Sequence, residues 1–190
     1  MYHRDMIVGI DEVGRGCWAG PLVAGAVLLG DPIVGLADSK KLSKRTREKL
    51  DADIRVSAVA YGLGWVTPFE LDEIGLTEAV RLAMERAMAE IRVPYDEIII
   101  DGNYNFLSSN PKSSCLIKAD DTIQAVSAAS IVAKVARDQY MEKMALTHPG
   151  YGFEKHVGYG TAAHSAALKL YGITELHRRS FAPIKVYELT

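Results

Sequence analysis

Three apolar runs in this chain close on an acid: Ile10-Asp11-Glu12, Ile100-Asp101-Gly102 and Lys118-Ala119-Asp120. Short β-branched runs bounded by glycine, proline or acids read as strands, so each acid is predicted to sit where a strand leaves its sheet. Neighbouring strands that end together would bring these carboxylates to one sheet edge. Carboxylates crowded away from water repel one another unless protonated or neutralised, and an all-oxygen donor set suits Mg²⁺ or Mn²⁺. Two such ions can clamp the attacking water and the leaving oxygen of an in-line phosphoryl displacement, which makes phosphodiester hydrolysis the chemistry this pattern points to. An acid at one strand end more often just begins a turn, so the signal lies in the set of three. Asp11 and Glu12 are adjacent, and a regular strand would point them to opposite faces. For both to serve one ion, the chain must bend into the following glycines or offer the Glu12 carbonyl.

Strands alternate with helices along the rest of the chain. Residues 6–10, 22–29 and 56–66 read as strands, with a basic helix predicted over 43–53 behind a capping serine. Thr67, Pro68 and Glu70 fit the cap, first-turn proline and third-position acid of a capping box. Leu76, Val80, Ala83, Ala87 and Ile91 mark one apolar face of a longer helix that Pro94 ends. Strands over 97–101 and 114–118 precede a helix from about 122 to 144. After Pro149 the texture turns to glycine, tyrosine and histidine, with a helix over 162–171 between Thr161 and Gly172. The expectation is one α/β domain, 1–190, whose residues from about 146 form a small helical section with its own loop.

The chain carries 22 basic and 24 acidic residues, a formal charge of −2, which excludes a globally basic nucleic-acid binder. Clustering is local. Between Asp38 and Lys49, Lys40, Lys41, Lys44, Arg45, Arg47 and Lys49 face only two acids, whereas residues 67–97 hold three basic and eight acidic side chains. Such segregation offers phosphates one face of an otherwise acidic protein. The longest uncharged stretch, 16–30, is interrupted by a proline and glycines and falls short of the roughly 20 apolar residues of a membrane span. The first residues lack the hydrophobic region of a secretory signal, so a cytoplasmic location is expected. Cys17 and Cys115 form neither a CxxC pair nor a zinc set and read as two reduced thiols. Gly14-Arg15-Gly16 with Gly20 loosely fits a dinucleotide-binding turn. Pro21 and an apolar strand follow it instead of the required helix, and Asp11 and Glu12 would face a pyrophosphate. Glycines that let backbone approach a polynucleotide closely are the better reading.

Taken in order, GIDEVGRG (residues 9–16), AGPLVAGAV (19–27), DSKKLS (38–43), IDGN (100–103), KADD with AASIVAKVARD (118–138), GYGT (158–161) and HRRSF (177–181) closely resemble bacterial ribonuclease HII. The resemblance implies a ribonuclease-H-like mixed β-sheet flanked by helices. It also implies a metal-dependent endonuclease that hydrolyses the RNA strand of RNA/DNA hybrids and cuts 5′ of single ribonucleotides embedded in duplex DNA, leaving 5′-phosphate and 3′-hydroxyl ends. The family's four metal-binding catalytic acids fall on Asp11, Glu12, Asp101 and Asp120, with two divalent ions, Mn²⁺ or Mg²⁺, expected in the substrate complex. Asp121 is then a helix cap. Gly14, Arg15, Gly16 and Tyr159 fall on the residues that sense the 2′-hydroxyl, the group that tells RNA from DNA. Lys40, Lys41, Ser43, Arg179 and Ser180 fall on phosphate contacts. Arg137, His164 and His177 lie within family motifs, where a structural role is expected, and a monomer is implied. Ala119, Cys17 and Val157 depart from the family pattern, which usually has glycine, proline and lysine there. A ribonuclease HIII is disfavoured by the arginine of GRG.

Overall fold

The structure, a computed structural model, describes residues 6–36 and 41–187. Five strands, β1 (Ile7–Val13), β2 (Leu22–Leu29), β3 (Ala58–Val66), β4 (Glu97–Asp101) and β5 (Ser113–Leu116), form one sheet in the order β3-β2-β1-β4-β5. β1, β2 and β3 pair antiparallel, while β1, β4 and β5 run parallel. The helices are α1 (Lys44–Ser57), α2 (Pro68–Ile74), α3 (Leu76–Ala89), α4 (Ala119–Thr122), α5 (Gln124–Thr147), α6 (Phe153–His156), α7 (Ala162–Tyr171) and α8 (Ala182–Lys185). The expected mixed sheet flanked by helices is therefore what the chain forms.

Period-two alternation assigns the two faces. Val8 and Ile10 of β1 and Ile98 and Ile100 of β4 enter one core with Val80, Ala83, Met84 and Ala87 of α3. The opposite face carries α5, and Leu50 and Ile54 of α1 pack with Ile131, Val132 and Val135 behind it. Both helices approach their faces more closely than a β-carbon would allow. A Cβ on Gly25 would lie 2.4 Å from the Ala129 carbonyl oxygen of α5, and one on Gly64 would lie 1.8 Å from that of Ala83 in α3. Small residues on strand and helix thus set the layer spacing, including the buried Ala128-Ala129-Ser130 run of α5.

Local signals account for several boundaries. Ser43 caps α1 by accepting the Thr46 N–H, and Thr67 and Glu70 form the reciprocal capping box of α2. α7 begins after Thr161 and ends before Gly172, as the sequence predicts. Other expectations need correction. β1 does not stop at Ile10 but carries Asp11 and Glu12 within it, because Asp11 and Glu12 continue the ladder opposite Gly25 and Ala24. β5 ends at Leu116, so Asp120 does not close a strand. Lys118 adopts a left-handed turn (φ 59°) that redirects the chain into α4, whose first turn holds Asp120. α5 then starts at Gln124 behind Ile123, with no side-chain cap, so Asp121 is not its cap.

Candidate active site

Sheet register brings the first two acids together. β1 and β4 run parallel with Ile10 opposite Ile100, so the next residues, Asp11 and Asp101, sit side by side at the ends of that pairing. Both share the parity of Gly9 and Ile99 and so point to the face covered by α4 and α5. The Lys118 turn then brings α4 across this edge, and the Ala119 N–H donates to Asp101 Oδ1 at 2.8 Å. Asp120, buried on the same short helix, completes the group. One carboxylate oxygen from each of Asp11, Asp101 and Asp120 lies within 4.8 Å of the others.

Glu12 follows the alternation and turns from this set. Its carboxylate accepts from Arg15 Nη1 at 3.0 Å, while its N–H donates to Asp11 Oδ1 at 2.8 Å. The group of converging oxygens is formed without Glu12, although the charge of Asp101 still reaches its carboxylate. Burial, foremost, and then the neighbouring charges of Glu12 and Asp101 push the Asp11 carboxyl up to about 8, against hydrogen bonds from Ser130 and the Glu12 N–H. Burial also raises Glu12, with Arg15 opposing it. A buried acid this reluctant to ionise is half of a charge-neutralising arrangement. Three carboxylates whose oxygens converge in this way are a donor set that fits a hard divalent ion.

The glycine loop leaves β1 directly beside these acids. Gly14 has φ +93°, and a Cβ there would lie 2.4 Å from Arg137 Nε. Arg15 and Gly16 are exposed. The loop is joined to the segment holding Tyr159 through the Trp18 and Ala19 N–H groups, which both donate to the Gly158 carbonyl at 2.8 and 3.2 Å. The Tyr159 phenol, 41% exposed, is raised by burial and by the Cys17 thiol beside it. Lys134 Nζ lies 6.0 Å from the centre of its ring. Gly14, Arg15 and Gly16, which follow the β1 acids in the chain, are thereby held against the segment that carries Tyr159. The antiparallel strand that follows the loop also removes the dinucleotide alternative, which needs a helix there.

The remaining predicted contacts are dispersed. Lys40 lies outside the described residues. Lys41 is ion-paired with Asp121, and the Ser43 hydroxyl caps α1. Asp72 accepts from the Arg179 N–H at 2.8 Å, the Ser180 N–H at 2.9 Å and the Ser180 hydroxyl at 2.6 Å. On the basic segment, Lys44 pairs with Glu142, and Arg47 lies 3.9 Å from Asp138. Part of the positive face expected there is thus neutralised internally.

Two features escaped the sequence. Ser130, a polar residue inside an apolar helical run, reaches Asp11. Arg178, rather than its exposed neighbour Arg179, enters the core, where it is fully buried and, among the described residues, its guanidinium donates to the backbone carbonyls of Gly20 and Arg15. Arg137 does the same, in keeping with the structural role expected of it, with bonds to Pro21, Val157 and Ala19. His164 and His177 face each other through Nε2 at 3.0 Å, again as structural residues.

Comparison with known proteins finds relatives over nearly the whole chain. The family model for ribonuclease HII matches residues 8–184. A ribonuclease HII from Marinomonas sp. (strain MWYL1) is 46% identical over 187 residues, covering 97% of this chain and 94% of the relative. The crystal structure of the ribonuclease H2 from Pyrococcus horikoshii OT3 superposes with a TM-score of 0.80 at 28% identity, over 96% of this chain and 97% of that one. The Bst-RNase HIII structure in complex with Mn²⁺ shares the fold with a TM-score of 0.75 at 20% identity, over 97% of this chain and 70% of that one. With a family model spanning nearly the whole length and near-half identity to a full-length relative, this chain belongs to the ribonuclease HII family, endoribonucleases of the ribonuclease H fold.

Proposed function

We propose that this chain is a divalent-metal-dependent endonuclease that hydrolyses the RNA strand of RNA/DNA hybrids. On the same reading it cuts 5′ of a single ribonucleotide embedded in duplex DNA, leaving 5′-phosphate and 3′-hydroxyl ends. The observation that carries this reading is the convergence of Asp11, Asp101 and Asp120 within 4.8 Å, beside a glycine loop tied to Tyr159. Asp11, Asp101 and Asp120 would hold Mg²⁺ or Mn²⁺, with Glu12 assisting from the adjacent position in β1. When bound, two such ions lower the pKa of a water and stabilise charge on the attacking and leaving oxygens of an in-line displacement.

The protein's own groups have separable tasks. Asp11 would hold the ion as its carboxylate, its proton passing to solvent. The Ala119 N–H and Ser130 hold Asp101 and Asp11 in place, which limits the reorganisation left for the reacting complex. Gly14, Arg15 and Gly16 present backbone to the ribose, and the Tyr159 phenol supplies a donor or acceptor for the 2′-hydroxyl. Lys40, Lys41, Ser43, Arg179 and Ser180 are the assigned phosphate contacts, for which Lys41 and Ser180 would exchange their present carboxylate partners. The substrate-contacting section from about 146 to 190 belongs to the same single domain, and the enzyme works as a cytoplasmic monomer that removes misincorporated ribonucleotides, RNA primers and hybrids. No helix among the described residues is long and apolar enough to cross a membrane.

A duplex with one ribonucleotide, end-labelled and mapped after incubation in Mg²⁺ or Mn²⁺, tests this reading. Cleavage at that position, absent from the all-DNA duplex and from Asp101→Asn, is expected. Equal cutting of both duplexes would leave a metal nuclease without ribose selection, such as a junction nuclease.

A further inference from the structure

Two fully buried guanidinium groups hold the glycine loop from behind, and neither is paired with a carboxylate in its hydrogen bonds. Arg178 donates from Nε and Nη2 to the Gly20 carbonyl at 3.1 and 2.9 Å, and from Nη1 to the Arg15 carbonyl at 3.0 Å. Its backbone N–H donates to the Trp18 carbonyl at 2.8 Å, and its guanidinium carbon lies 5.2 Å from the centre of the Phe181 ring. Arg137 donates to Pro21, Ala19 and Val157. Burying two cations together is costly, so the five carbonyls they hold are fixed at a price the fold pays in desolvation.

One of the five peptide units differs from the others. In a trans peptide the C=O and the following N–H point in opposite directions. The N–H following Ala19 donates to the Leu176 carbonyl at 2.8 Å, and that following Val157 donates to His156 Nδ1 at 3.2 Å. Gly20 is followed by Pro21, which has no N–H, and the unit after Pro21 enters β2. The Arg15–Gly16 unit remains. Its carbonyl is turned inward by Arg178, so the Gly16 N–H points outward, and it has no acceptor among the described residues. Gly16 is exposed, and a Cβ built on it would meet nothing within 4 Å.

We infer that Arg178 is a positioning residue for ribose selection: by holding the Arg15 carbonyl inward, it aims the Gly16 N–H at the 2′-hydroxyl or adjoining phosphate of the substrate. The inference rests on the reading of the glycine loop given under Proposed function. It assigns to the first-coming arginine of HRRSF a task separate from the phosphate contacts placed on its neighbours. A fork of planar donors is needed, because one guanidinium spans the Gly20 and Arg15 carbonyls together. Lysine can keep the charge but cannot reproduce that span.

The test compares wild type with Arg178→Lys and Phe181→Leu, the latter removing the ring beneath the guanidinium while leaving the arginine. Four quantities are read: single-turnover cleavage of a one-ribonucleotide duplex, affinity for the all-DNA duplex of the same sequence, Mn²⁺ affinity, and the melting temperature. The expected result for Arg178→Lys is a tenfold to hundredfold loss of cleavage rate with all-DNA affinity and Mn²⁺ affinity unchanged. Phe181→Leu should show a smaller loss of the same kind, so the inference stays testable if Arg178→Lys does not fold. Wild-type cleavage rates in both variants would overturn it. So would a parallel fall in cleavage, DNA affinity, Mn²⁺ affinity and melting temperature, which is the pattern of general damage. Wild-type protein that ignores the ribonucleotide would instead overturn the reading of the loop itself, and this inference with it.

Discussion

Replacing Asp11 with asparagine should stabilise the metal-free protein while abolishing its response to metal. The Asp11 carboxyl, ordinarily near 3.8, is raised to about 8 in the folded chain, first by burial and then by Glu12 and Asp101. Because the folded value lies above the unfolded one, the folded state binds this proton more tightly. Its stabilising contribution is therefore complete below pH 3.8 and is lost as pH rises toward 8. By pH 7 the linkage amounts to at most about 4 kcal/mol, and relaxation of the site reduces this to about 2 kcal/mol. Asparagine stays neutral throughout and keeps an acceptor for the Glu12 N–H. Metal-free Asp11→Asn should then melt roughly 4–8 °C above wild type at pH 8, and close to it at pH 4. Saturating Mn²⁺ reverses the order, since a ligand at a hundredfold excess over its Kd adds about 2.7 kcal/mol to wild type alone. Thermal melts in chelator and in Mn²⁺, at pH 4 and pH 8, measure all four conditions. A metal-free variant that melts at or below wild type at pH 8, or that gains as much from Mn²⁺, would refute the reasoning.

Three further outcomes follow from other parts of the fold. Burial, foremost, lowers His164 and His177 to about 4, aided by the charge of His156 beside His164 and of His164 beside His177; below about pH 6.5 the unfolded chain takes up their protons first. Stability should hold above that pH and fall by on the order of 2 kcal/mol per ring down to pH 4, and urea titrations of His177→Gln across this range should show a shallower decline. Gly25→Ala should cost about 2–3 kcal/mol in the same urea assay, because its methyl would sit 2.4 Å from the Ala129 carbonyl in a layer that cannot spread. Glu70 is held at about 2, chiefly by Arg86 and then by the Thr67 N–H. Its contribution is complete above the ordinary carboxylate value near 4.5 and lost as pH falls through 2, so Glu70→Gln should cost about 1 kcal/mol at pH 7 and nothing near pH 2.

Local chemistry made much of the fold legible. Thr67-Pro68-Glu70, Ser43, Thr161 and Gly172 each act within a few residues of themselves, and each begins or ends a helix where the sequence predicts. Asp11 and Asp101 read as neighbours only if their strands pair, and the Ile10–Ile100 register supplies what the sequence lacks. Asp120 reads in the sequence as a strand end, whereas it sits in the first turn of α4. Nothing local announces that Lys118, a residue with a β-carbon, takes a left-handed conformation that costs about 1–2 kcal/mol. That turn substitutes a short helix for the expected strand end. Adjacent residues of a strand alternate, so Asp11 and Glu12 do not share one face by strand geometry alone, and Glu12 pairs with Arg15. Arg178 could not be told from Arg179 by composition, because only the path of the chain after His177 decides which of two adjacent guanidinium groups enters the core.

The central claim is that Asp11, Asp101 and Asp120 grip divalent cations as one unit. Anomalous scattering from a crystal soaked in Mn²⁺ addresses it directly. The account predicts peaks within ligand distance, about 2.0–2.3 Å, of oxygens from all three carboxylates, lost on soaking Asp101→Asn crystals. Density placed elsewhere, or retained at full strength without Asp101, would contradict it.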